Sequence, residues 1–81
     1  MKPLIETIVK ALVDHPEAVA VETREEETAV IYELSMHDDD IGKVIGKQGR
    51  TIHAIRTVVY AAAAGSPKRV IVHVKEKGAD P

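Results

Sequence analysis

Apolar residues at Leu4, Ile5, Ile8, Val9, Leu12 and Val13 recur at spacings of three, four and one, the pattern of a single helical face. An amphipathic helix is predicted over residues 2–14. Pro3 suits its first turn, where a missing N–H costs nothing. Pro16 stops it, because the proline ring excludes helical geometry at His15. The period then changes to two. Val19, Val21 and Thr23 alternate with Ala20 and Glu22, so residues 17–23 read as a strand. A charged connection at residues 24–27 leads to a second strand over residues 28–37, with Val30, Tyr32, Leu34 and Met36 on one face. The two strands suggest a hairpin.

Helical spacing returns at Ile41, Val44 and Ile45, preceded by Asp38, Asp39 and Asp40. Carboxylates there are expected to accept orphan backbone N–H groups and to complement the positive end of the helix dipole. Gly46-Lys47-Gln48-Gly49 interrupts this short helix. A longer one is predicted over residues 50–64, with Ile52, Ile55, Val59, Ala62 and Ala63 on its buried side. Gly65-Ser66-Pro67 ends it. Residues 68–75 form the last predicted strand, with Val70, Val72 and Val74 on one face and Ile71 and His73 on the other. Residues 78–81 are expected to fray. The order α-β-β-α-α-β implies an α+β domain, a three-stranded mixed sheet with helices packed on one face.

The chemistry concentrates at the interruption between the second and third helices. Gly46 and Gly49 allow backbone angles closed to other residues and present no Cβ to a ligand, so the chain there can approach a phosphodiester closely. The helix that follows aims its free N–H groups at the same place. Lys47 and Arg50, with Lys43 one turn back, add charge, and Ile41, Val44, Ile45 and Ile52 supply apolar surface for a groove. A tight helical corner would also use two glycines, and Gly-x-x-Gly alone is a common pattern.

Charge changes the weight of these alternatives. The formal net charge of −2 argues against a nucleic-acid partner, but it conceals a segregation. Residues 1–40 carry eleven acids and three bases, whereas residues 41–75 carry seven bases and no acid. The glycine loop lies inside the acid-free stretch, which can present a positive face to phosphates.

With Val44-Ile45 before the loop, Arg50-Thr51-Ile52 after it and the expected elements on both sides, this segment resembles a KH domain. In that fold a Gly-x-x-Gly loop clamps about four nucleotides. The leading helix and strand correspond to the type II, prokaryotic order, so a single type II KH domain over residues 1–77 is expected, with 78–81 as a flexible tail. The run from Asp40 to Tyr60 is similar to the KhpA family, the small stand-alone KH proteins of bacteria. The resemblance implies a cytoplasmic protein that binds single-stranded RNA, acts as an RNA chaperone and post-transcriptional regulator, and is linked to cell elongation and envelope homeostasis. It also implies a homodimer, or a heterodimer with a second KH protein of KhpB type. The RNA-binding residues it marks are Ile41, Gly42, Lys43, Ile45, Gly46, Lys47, Gln48, Gly49, Arg50 and Ile52.

Other classes fit less well. A nucleotide-binding P-loop needs four residues between its glycines and a hydroxyl after its lysine, whereas Gly42 and Gly46 enclose three and Lys47 precedes Gln48. With no cysteine there is no disulfide framework or thiolate site, and the four histidines lack metal-ligand spacing. A cation at His37-Asp38-Asp39-Asp40 is less economical than a capped helix start. His53 lies one turn past the loop on the exposed side of its helix. No activated nucleophile is visible, so neither catalysis nor a cofactor is expected. No apolar run approaches the ~20 residues of a membrane span. Tyr32 and Tyr60 are the only aromatics apart from histidine, which disfavours base stacking across the sheet. A protein-contact module with weak or no RNA binding remains the rival, with Tyr60 and the alanines at 61–64 as its suggested surface. Single-stranded DNA is a further possibility, since nothing reads a 2′-hydroxyl.

Overall fold

A computed structural model describes residues 1–75; the expected domain end at residue 77 and the tail 78–81 lie outside the described residues. Three α-helices cover one face of a three-stranded sheet. The elements run α1 (Lys2–Leu12), β1 (Ala20–Glu25), β2 (Ala29–Ser35), α2 (Asp38–Ile45), α3 (Arg50–Ala62) and β3 (Arg69–Val74). The sheet order is β1-β2-β3, with β1 antiparallel and β3 parallel to β2. The crossover from β2 to β3 contains α2, the glycine loop and α3, and β1 and β3 are the edge strands among the described residues. This is the α+β, mixed-sheet architecture that the apolar periodicities predict.

Register explains which face is covered. Val21 opposes Leu34, which is paired in turn with Val74, and Tyr32 lies between Thr23 and Val72. These residues point toward the helices, where Ile5, Val9, Val44, Ile52, Ile55 and Val59 complete the core. The helix-free face carries Glu22, Glu33 and His73 in one row. Several details differ from expectation, with α1 ending at Leu12 rather than residue 14, β2 at Ser35 rather than 37 and α3 at Ala62 rather than 64. Pro16–Ala18 forms a 3₁₀ turn in which Val19 N–H donates to Pro16 C=O at 3.2 Å, so the first strand starts at Ala20 rather than residue 17. Ala62 is exposed instead of buried, because the core-facing side of α3 runs from Ile52 through Ile55 to Val59.

The aspartates divide their expected task. The cap of α2 is His37, whose Nδ1 accepts the N–H of Asp39 at 3.1 Å. Asp38, Asp39 and Asp40 do occupy the first turn, where negative charge complements the helix dipole. Asp40, however, is completely buried and turns its carboxylate to the segment after α1. It accepts Asp14 N–H at 3.2 Å, His15 N–H at 3.0 Å and His15 Nδ1 at 3.0 Å. The His15 ring also stacks on His37, with centroids 4.0 Å apart. One carboxylate thereby fastens the end of α1 to the start of α2.

Burial pushes the Asp40 carboxyl toward a higher pKa, but the Asp14 and His15 N–H donors, the His15 ring and its charge outweigh it and hold the group below its ordinary value. A folded pKa below the unfolded one gives stability that is present above the ordinary carboxylate range near pH ~4 and is lost as pH falls through the lower folded value. Acid unfolding followed by circular dichroism should therefore show a transition below about pH 4. Asp40→Ala should lower the melting temperature more than Glu25→Ala, whose carboxylate is exposed and pairs only with Lys68 among the described residues.

Candidate nucleic-acid interface

The loop between α2 and α3 is built from backbone that L side chains rarely adopt. Gly46 N–H donates to Gly42 C=O at 2.8 Å and closes α2, and Gly46 itself has φ 76° and ψ 174°. A Cβ at Gly46 would lie 2.2 Å from Thr51 Oγ1 and 2.8 Å from Thr51 N, so the loop packs directly onto the first turn of α3. Residues Lys47–Gly49 then form one 3₁₀ turn, with Gly49 N–H donating to Gly46 C=O at 3.1 Å. Gln48 (φ 57°) and Gly49 (φ 74°) are both left-handed. For glutamine this conformation costs roughly 1 kcal/mol, and such strain tends to persist where function requires it. Lys47 and Gln48 are exposed at the tip. Gly49 caps α3 without any side-chain bond, which leaves the helix end open to an anion.

The ten marked residues fall into distinct settings. Gly46, Lys47, Gln48, Gly49 and Arg50 form the continuous loop and helix entry. Ile41 and Ile45 are half-buried against the core, and Gly42 is exposed on α2 with open space where a Cβ would go. Ile52 is buried and fixes α3 to the core. Lys43 is engaged elsewhere: its ammonium bonds Asp14 and lies 3.7 Å from Asp40. The Asp14 hydrogen bond and the charges of both aspartates raise its pKa despite partial desolvation.

Along α3 the loop continues into a polar flank. Gly49, His53, Arg56 and Tyr60 are four, seven and eleven residues apart from the first, hence on one side of the helix. Arg56 marks where that side leads, because its Nε donates to Val72 C=O on β3 at 3.0 Å. Arg56 is the residue that sequence reading passed over. Its spacing from Gly49 was visible, but its bond to a strand sixteen residues away was not. The opposite flank is apolar. Thr51, Ala54, Ile55 and Val58 face Leu4, Ile8 and Leu12 of α1 across a groove of about 410 Å³. Leu12 and Val58 remain 40% and 49% exposed there.

Folding neutralises little of the basic stretch. Of its seven cations, Lys43 pairs with Asp14 and Asp40, and Lys68 with Glu25 at 2.7 Å. Lys47, Arg50, Arg56, Arg69 and Lys75 have no ion-pair partner among the described residues.

Relatives carry the same domain. A family model described as KhpA/KhpB, KH domain matches residues 2–74. The chain is 53% identical over 74 residues to RNA-binding protein KhpA of Oceanobacillus iheyensis, covering 91% of this chain and 99% of the relative. It is 56% identical over 70 residues to RNA-binding protein KhpA of Halalkalibacterium halodurans, covering 86% and 92%. The KhpA of Listeria monocytogenes, also called an RNA-binding protein, is 47% identical over 76 residues, covering 94% and 100%. No solved structure matches. No helix among the described residues is long and apolar enough to cross a membrane. The glycine loop between two helices, the mixed three-stranded sheet and a family match spanning nearly the whole chain lead to one assignment: the chain belongs to the KhpA/KhpB family of KH domains.

Proposed function

We propose that this protein binds single-stranded RNA in the cytoplasm by gripping its backbone at residues 46–50. The observation that carries this reading is the strained loop from Gly46 to Gly49, set at the uncapped start of α3. Lys47 and Gln48 meet the phosphates, Arg50 adds charge, and Gly42, Ile41 and Ile45 flank the path of the chain. Lys43, held by Asp14, contributes at longer range. With few aromatic platforms the grip is on backbone more than on bases, which suits an RNA chaperone acting on many transcripts. The link to cell elongation and envelope homeostasis belongs to the same reading.

A second activity has its own observation. The groove between α1 and α3 has no charged lining, although 30% of the chain is charged. We assign it to self-association, with the KH domain of a KhpB-type protein as the alternative occupant of the same face. The suggested surface at Tyr60 and the alanines at 61–64 moves accordingly, since Tyr60 lines a different cleft.

Four measurements test these assignments. Lys47→Asp with Gln48→Asp should keep the fold and weaken RNA binding at least about tenfold, since a charge-assisted contact is replaced by repulsion. If about three phosphates are neutralised, log K should fall with log salt at a slope near −2 for a single strand. Gly42→Ala should raise stability by roughly 0.5–1 kcal/mol, as expected for a helical glycine with open space, and yet weaken RNA binding if the backbone is approached there. Light scattering should give a dimer that Val58→Glu converts to a monomer. A wild-type chain that stays monomeric at all concentrations would remove the self-association assignment.

A further inference from the structure

A second cleft lies at the far end of the polar flank of α3. It holds about 300 Å³ and is lined by Tyr60 of α3, Ala63 just past its end, Lys68 just before β3, and Arg69, Val70 and Ile71 of β3. Tyr60 is 44% exposed, whereas the other tyrosine, Tyr32, packs against the core. Lys68 is already bound to Glu25, which leaves Arg69 as the charge of the cleft without an ion-pair partner among the described residues. An exposed ring beside apolar side chains and a guanidinium is the combination that stacks a nucleobase and holds its phosphate.

Position decides what the occupant is. Tyr60 follows Gly49 by eleven residues, so at 1.5 Å per residue it lies about 16 Å along the helix. That is roughly the length of the four nucleotides a Gly-x-x-Gly loop clamps, taken at about 3.4 Å per stacked nucleotide. Between the two ends, Arg56 spans from the same flank to Val72 C=O at 3.0 Å and keeps positive charge along the route. We infer that the cleft of Tyr60 and Arg69 takes one further nucleotide of the same RNA strand, its base stacked on Tyr60 and its phosphate against Arg69. This inference rests on the RNA-binding reading above. The site extends the length of RNA that is recognised and adds a contact that favours purines, whose larger rings stack over more area.

The test uses the full chain and fluorescein-labelled oligoadenylates of four, six and eight nucleotides. Wild type should gain about tenfold in affinity between the shortest and longest, as one stacked base is worth ~1–3 kcal/mol. Tyr60→Ala should abolish that gain and leave tetranucleotide affinity unchanged. Tyr60→Phe, which keeps the ring, should retain it. Arg69→Gln should reduce the salt slope by about 0.7 with the octanucleotide and leave it unaltered with the tetranucleotide. Both side chains are exposed, so circular dichroism should show unchanged folding. Equal length gains in wild type and Tyr60→Ala would overturn the extension while the loop variant still tests the clamp. Absence of binding at every length would overturn both.

Discussion

The buried carboxylate of Asp40 is the constraint on which the placement of the loop depends. A charged group with no exposed surface is tolerated only when donors surround it, and here two backbone N–H groups and an imidazole do so. Those donors belong to the segment just after α1, twenty-five residues or more away in sequence, while Asp40 itself sits in the first turn of α2. The link orients α2, and α2 delivers Gly46 onto Thr51 at the head of α3. A shift of α2 along its axis would separate the carboxylate from its donors and the loop from α3 together. The short helix thus carries strong constraints at both ends, which fixes the shape of the glycine loop within the fold.

α3 then divides two kinds of surface. Its buried line of Ile52, Ile55 and Val59 anchors it to the sheet. One flank continues from Gly49 toward β3 with His53 and Arg56. The other, with Ala54 and Val58, faces α1 and is almost free of polar atoms. Because the flanks lie on opposite sides of the anchored line, polar ligands and apolar partners need not compete for the same residues.

Much of this was legible in the sequence, and the parts that were not share a cause. Element types followed from periodicity, because Val30, Tyr32 and Leu34 or Ile52, Ile55 and Val59 each repeat at the period of the structure they form. The glycine loop was legible because the positive backbone angles at Gly46 and Gly49 are encoded by the residue type itself. Asp40 was misread as a cap, since its true partners at Asp14 and His15 are distant in sequence and a local rule gave a sufficient explanation. Five of the six apolar residues read as one stripe lie on α1, whereas Val13 falls just past its end in extended conformation, and of the five only Ile5 and Val9 are fully buried. Periodicity identifies a face and does not say how much of it a neighbour covers. The first strand began too early because Val19 fits an alternating pattern, although Pro16 commits the chain there to a 3₁₀ turn.

The separation of flanks gives the small size of the domain a physical meaning. On the RNA-binding reading proposed above, one short groove that contacts mainly phosphates would offer limited affinity, and its grip would weaken as salt competes for the backbone. Joining two such grooves turns the second contact into an intramolecular event with a high effective concentration, provided that both can be occupied together. An association through the apolar flank of α3 would satisfy that condition, because Lys47, Gln48, Arg56 and Arg69 all lie outside the groove between α1 and α3. The exposed leucine and valine on that groove, Leu12 and Val58, would then serve RNA binding indirectly, by bringing together loops that are weak when alone. In this arrangement the incomplete cover of α1, a defect in an isolated monomer, would be the feature that lets a minimal domain hold a long strand.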